Sequence, residues 1–111
     1  MPIKVTYTST RPSSDVAFYI DNFDAVSYMA NTYQTTGKLL ATSFDDSDIL
    51  TWVWTEWWAD TESLEEFLAD TFINQGMINR TLHRERENIK TTYVTEDVLI
   101  SSVPVGVFYN K

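Results

Sequence analysis

Few side chains in this 111-residue chain have the chemistry of a catalyst. Without a cysteine there is no thiolate nucleophile, disulfide or cysteine metal site. His83 is the single histidine, so a multi-histidine metal site within one chain is excluded. No metal and no cofactor is expected. What stands out is TWVWTEWW, residues 51–58, which holds all four tryptophans and one carboxylate, Glu56.

Strand alternation would place Trp52, Trp54, Glu56 and Trp58 on one face and Thr51, Val53, Thr55 and Trp57 on the other. Each indole can bury ~150–250 Å², so three on one face overfill a thin sheet–helix layer unless they border a cavity. They are read either as solid core or as the wall of a largely apolar pocket. Glu56 has two readings as well. It sits at a solvated strand rim, or it is a pocket carboxylate with a raised pKa, able to act as an acid or base. His83 and Arg11 are surface residues or partners for the acidic end of a ligand. The candidate catalytic residues are therefore Glu56 and His83. The candidate ligand-binding set is Trp52, Trp54, Trp58, Phe67, Met77, Tyr7, Phe23, Leu82, His83 and Arg11.

The surrounding pattern shows which elements would carry these groups. IKVTYTST, residues 3–10, alternates as a half-buried strand with Ile3, Val5 and Tyr7 on one side. Phe23, Val26, Met29, Ala30 and Tyr33 form a helical stripe, with Asp21 or Asn22 as cap, Gly37 as the stop and Tyr28 pointing away. KLLATSF, residues 38–44, and ILTWVWTEWW, residues 49–58, read as strands joined by a DDSD turn. SLEE, residues 63–66, reads as a capping box in which Ser63 and Glu66 satisfy each other's backbone. A break near Asp70 precedes a further helix to about Ile89, whose apolar face is Ile78, Leu82 and Ile89, with Arg80 and Arg84 on the far side. Residues 90–96 return to strand alternation, and residues 97–111 form an apolar tail expected to dock on the sheet or on a partner subunit.

The order β-α-β-β-α-β predicts one α+β, ferredoxin-like domain over residues 1–111: a four-stranded antiparallel sheet with helices on one face. Val5, Val53 and Leu99 are read as apolar cover for the other face, and a homodimer is the expected solution. Net charge is −8, which argues against nucleic acid and anionic membranes as partners. The bases Arg80, Arg84, Arg86 and Lys90 alternate with Glu85 and Glu87 and read as a salt-bridged, solvated helix face. No apolar run approaches the ~18 residues of a membrane span, and the N-terminal alternation is unlike a signal peptide, so a cytoplasmic protein is expected.

Glu56, Trp58, Asp60 and Ser63-Leu64 also resemble a pattern of the dimeric α+β barrel superfamily. That superfamily includes small antibiotic-biosynthesis monooxygenases and haem-degrading enzymes. Members often carry Glu-x-aromatic-x-Asp at the end of the third strand, followed by a small and an apolar residue on the next helix. Phe67 stands where many of them place a histidine, which argues against haem ligation and a histidine base at that point. The first expectation is thus a dimeric binder of a hydrophobic or amphipathic, fatty-acid-like molecule. The alternatives are a cofactor-independent monooxygenase or isomerase acting on an aromatic substrate, and an interaction or stress-type oligomer without ligand.

Overall fold

The computed structural model describes residues 1–105. Four strands, β1 (Ile3–Thr10), β2 (Leu39–Asp48), β3 (Thr51–Trp58) and β4 (Lys90–Asp97), form one antiparallel sheet in the order β2-β3-β1-β4. Helices α1 (Ala25–Met29), α2 (Thr61–Leu68), α3 (Thr71–Gly76) and α4 (Ile78–Glu87) complete the ferredoxin-like α+β fold. No helix among the described residues is long and apolar enough to cross a membrane.

Directly opposed residues of an antiparallel pair point to the same side. Ile3, Val5, Tyr7 and Ser9 of β1 face Trp58, Glu56, Trp54 and Trp52 of β3, so all eight share the helix-covered face. This corrects the expectation that Val5 covers the outer face: it is fully buried beneath the helices. On the opposite face lie Val53, Thr55 and Trp57, beside Lys4, Thr6 and Thr8. Trp57 and Thr55 are already buried there, with the Lys4 ammonium 5.8 Å from the Trp57 ring, while Val94 at the β4 edge is 56% exposed.

The core is Ile3, Val5, Met29, Tyr33, Leu39, Trp58, Leu64, Phe67 and Ile73, packed between sheet and helices. Burial deepens along β3, from half-buried Thr51–Trp54 to buried Thr55–Trp58. One tryptophan thus sits deep in the core while Trp52 and Trp54 reach toward the surface.

Helix boundaries depart from the sequence reading in ways that bear on the site. The cap of α1 is Asp24, whose Oδ1 accepts from the Ser27 N–H at 3.1 Å. Asp21 bonds the Phe23 N–H instead, at 2.9 Å, so Phe23 lies before the helix. The helix continues as a π-helical turn, Ala30–Gln34, which changes the phase of the face. Tyr28 packs half-buried against the core, and both its hydroxyl (2.7 Å) and that of Tyr33 (2.5 Å) donate to Asp70. Gly37, with φ 76°, takes the left-handed stop where its lack of Cβ matters. For α2 the cap is Asp60, which accepts from the Ser63 N–H at 2.8 Å, and Glu66 pairs with Lys38 rather than closing a box with Ser63.

The largest correction concerns α4. The chain breaks at Met77, so α3 and α4 have independent phases. Ile78 and Leu82 are 55% and 53% exposed, whereas His83 is buried and Arg80 and Arg84 are half-buried. The polar edge turns inward because it finds partners there: Asp21 and the carbonyls of Ala17 and Phe23. Of the salt-bridged face expected from Arg80, Arg84, Arg86 and Lys90 with Glu85 and Glu87, no internal pair forms among the described residues; Arg80 pairs with Asp21 instead. The tail leaves β4 with Val98 N–H donating to the Pro2 carbonyl at 3.0 Å, and Leu99 is 66% exposed. The expectation that the rest of the tail docks falls partly on residues 106–111, outside the described residues.

Candidate active site

The tryptophan face does border a cavity, of about 530 Å³, between the sheet and residues 18–26, α2, α3 and α4. Trp52 and Trp54 supply its floor from β3, Tyr7 and Ser9 from β1, and Phe44 from β2. The pairing register explains this grouping: Tyr7 and Phe44 are the two cross-strand neighbours of Trp54. At the outer end Trp52 is enclosed by rings. Phe18 stacks on it at 4.1 Å between centroids, and Tyr19 and Phe44 meet it edge-on at 5.7 and 5.1 Å. Phe67, Leu68, Ile73 and Met77 form the opposing apolar wall.

At the inner end of this aromatic surface lies Glu56, only 3% exposed. One carboxylate oxygen accepts from the Trp54 indole N–H at 2.8 Å, the other from the Trp58 indole N–H at 3.0 Å. The strand's two-residue period makes this clamp possible, because residues 54, 56 and 58 stand side by side on one face. Burial pushes the Glu56 carboxyl up from about 4.5 to about 7, against the opposing pull of the Trp58 and Trp54 hydrogen bonds. Each carboxylate oxygen has a second lone pair, so the clamp leaves acceptor capacity. Burial, and then the charge of Glu56, also raise the nearby Tyr7 phenol, which stays neutral.

The far wall carries two arginines, Arg80 and Arg84, and two aspartates, Asp21 and Asp24. Arg80 is engaged: its guanidinium pairs with Asp21 at 3.1 Å, donates to the Phe23 carbonyl at 2.5 Å and covers the Tyr19 ring at 4.0 Å. Arg84, one turn further along α4, lines the same cavity, and its guanidinium has no ion pair or hydrogen bond among the described residues. Burial and the adjacent Arg80 charge hold it below the usual guanidinium range. Asp21 partly offsets this from across the Arg80 pair, and the half-buried Arg84 guanidinium, with no direct anionic contact, is suited to receive one.

Of the residues singled out from the sequence, Trp52, Trp54, Glu56, Tyr7, Phe23, Phe67 and Met77 line the cavity. Trp58 lies behind it in the core, where its N–H orients Glu56. Leu82 faces outward. His83 and Arg11 are elsewhere, and both hold the segment 11–24 in place. His83 Nε2 lies 2.6 Å from the Ala17 carbonyl; since that oxygen can only accept, Nε2 carries the proton. Its Nδ1 is buried with no partner among the described residues. Arg11 donates to the carbonyls of Val16 (2.8 Å) and Ile49 (2.6 Å) and stacks on Phe18 at 4.7 Å. Sequence reasoning missed Phe18, Asp21 and Arg84. Nothing in the local pattern of α4 separates Arg84 from a solvated arginine; the inward turn of that helix depends on the loop packed against it.

No family model matches the sequence, and no curated protein matches it. Solved structures do share its architecture. One is an antibiotic biosynthesis monooxygenase, 17% identical, with a TM-score of 0.55 over 87% of this chain and 98% of that one. Another is SnoaB, a cofactor-independent oxygenase from Streptomyces nogalater, 9% identical, with a TM-score of 0.54 over 88% and 93%. A third is a dimeric ferredoxin-like protein from an uncultured marine organism, 17% identical, with a TM-score of 0.50 over 90% and 98%. At these identities the likeness is one of fold: the chain is a ferredoxin-like α+β domain with the architecture of these three proteins.

Proposed function

We propose that the cavity is the active site of a cofactor-independent enzyme acting on a planar hydroxylated aromatic substrate, most simply a monooxygenase. Glu56 is the general base. The observation that carries this reading is a carboxylate 3% exposed at the end of an aromatic cavity, with its pKa raised to about 7. Such a group is half ionised near neutrality, where a base both accepts a proton and releases it again. Trp54 and Trp58 hold it in one orientation, and rings such as Tyr7 and Phe23 line the space a flat substrate would fill.

In this reading Glu56 takes a proton from an activated C–H of the substrate, and Arg84 faces the oxygen on which the resulting negative charge settles. The electron-rich anion supplies the electrons that reduce dioxygen. The overall change is –CH2– + O2 → –C(=O)– + H2O, with no external reductant. Support also comes from the fold, which is shared with a cofactor-independent oxygenase. A long acyl chain, the ligand first expected, suits this cavity less well. Asp21, Asn22, Asn74, Arg80 and Arg84 line it together with the rings, while His83 and Arg11, expected at the head group, lie outside it.

The test is oxygen consumption with a series of polycyclic phenols and anthrones. Glu56→Gln should lower turnover by about 10²–10⁴-fold, the usual worth of a positioned base. Full turnover by that variant would refute the assignment, and product formed equally well without oxygen would indicate an isomerase.

The same fold supports pairing with a second copy through the outer sheet face, where Val94 is exposed and Val53 half-buried. One neighbour in fold is a dimeric protein. Sedimentation equilibrium tests this: a dimer is expected, and Val94→Asp should shift it toward monomer.

A further inference from the structure

The cavity has a wall whose position depends on a missing side chain. Gly76 ends α3, and a Cβ placed there would run into Cζ, Cε1 and Cε2 of Phe23, whose ring lines the cavity. Backbone shape does not call for glycine here. Residue 76 has no left-handed φ, unlike Gly37 at 76°, and alanine is the better helix former. What glycine provides is room for a ring.

Phe23 has little freedom to yield. Its N–H donates to Asp21 at 2.9 Å and its carbonyl accepts from Arg80 at 2.5 Å, so the backbone is pinned at both ends. The ring is flanked by Phe72 at 5.5 Å between centroids and by the Arg80 guanidinium at 5.7 Å. Crowded from the Gly76 side, it must change rotamer, and the cavity it lines offers space for the ring.

We infer that Gly76 and Phe23 together form a size gauge: the space at residue 76 lets the Phe23 ring lie back and sets the length of aromatic ligand the cavity admits. This rests on the reading of the cavity as a site for planar aromatics, and not on Glu56 as base. Filling position 76 shortens the site, and trimming position 23 lengthens it. Leucine at 23 lacks the three ring atoms that the added Cβ would meet, so Phe23→Leu should compensate for Gly76→Ala.

The experiment combines crystallography with tryptophan-fluorescence titration of 2-naphthol, 1-hydroxyanthraquinone and a hydroxytetracenequinone. In the Gly76→Ala crystal structure, Phe23 should turn into the cavity. That variant should bind the largest probe accepted by the wild type about tenfold or more weakly, while naphthol changes by less than about threefold, consistent with local overpacking. Gly76→Ala with Phe23→Leu should restore binding, which a variant that merely folds poorly would not do. Phe23→Leu alone should extend acceptance to a longer probe. A Gly76→Ala structure with Phe23 unmoved or turned to solvent overturns the gauge, as does equal weakening for all three probes. If the wild type binds none of them, the aromatic reading of the cavity fails and the gauge falls with it. Discrimination that persists in Glu56→Gln separates the gauge from the chemistry.

Discussion

Replacing Glu56 by glutamine should change how the stability of this protein depends on pH, by an amount the structure allows to be worked out. In the folded chain the carboxyl titrates at about 7, against about 4.5 when free of the fold. The folded state therefore holds its proton more tightly than the unfolded state does. The sign follows: Glu56 costs nothing below the unfolded pKa, and its burial destabilises progressively as pH rises through the folded value. At about 1.36 kcal/mol per unit, the full cost is roughly 3 kcal/mol, of which roughly 2–3 kcal/mol develops between pH 5 and pH 8. Glutamine cannot ionise. It offers one oxygen to the two indole N–H donors and sets its own NH2 against the other, a cost of roughly 1–3 kcal/mol that is independent of pH. The assay is urea unfolding of both proteins from pH 5 to pH 8. Asp24, Asp45 and Asp60, lowered by hydrogen bonds from nearby serines, titrate alike in both and cancel in the difference. The wild type should lose roughly 2–3 kcal/mol relative to Glu56→Gln across that range. Parallel curves would show that Glu56 is not held as a buried, perturbed acid, and the case for it as the base would go with it.

Two further outcomes follow from the same geometry. Trp58→Phe removes the 3.0 Å indole donor that lowers the Glu56 pKa, so the acidic limb of a pH–activity profile should move upward while the protein stays folded; an unmoved limb would mean that Trp58 is only core. Arg80→Ala leaves Asp21 without its 3.1 Å partner in a site where the two side chains are 12% and 16% exposed. Because each keeps some contact with water, the loss should be roughly 2–3 kcal/mol, below the 3–5 kcal/mol of fully buried pairs. Faster amide exchange should be confined to residues 11–24, and uniform loosening of the whole domain would contradict the role of Arg80 as a local clasp.

Much of this fold was readable from residue order because strand patterns are local. The two-residue period of TWVWTEWW separates Trp57 from Trp52, Trp54, Glu56 and Trp58 whatever the rest of the chain does, and β3 has that alternation. The element order and the ferredoxin-like sheet came from the same kind of evidence. Which partner each face meets is a different matter. Alternation alone puts Val5 on the wrong side because the side a strand face meets depends on its register with its neighbours, which only pairing decides. The face of α4 was misassigned because its apolar residues, Ile78 and Leu82, are left outside. Arg80 and His83 turn inward to satisfy an aspartate and two carbonyls of a loop some sixty residues earlier in the chain. By itself, then, the sequence determined the aromatic floor and put one carboxylate on it. Tertiary structure decided that the floor encloses space, that two indole N–H groups hold the carboxylate there, and that Arg84 rather than His83 lines the same cavity. Periodicity is a property of the local backbone, whereas burial of a charged group depends on distant partners that no local pattern encodes.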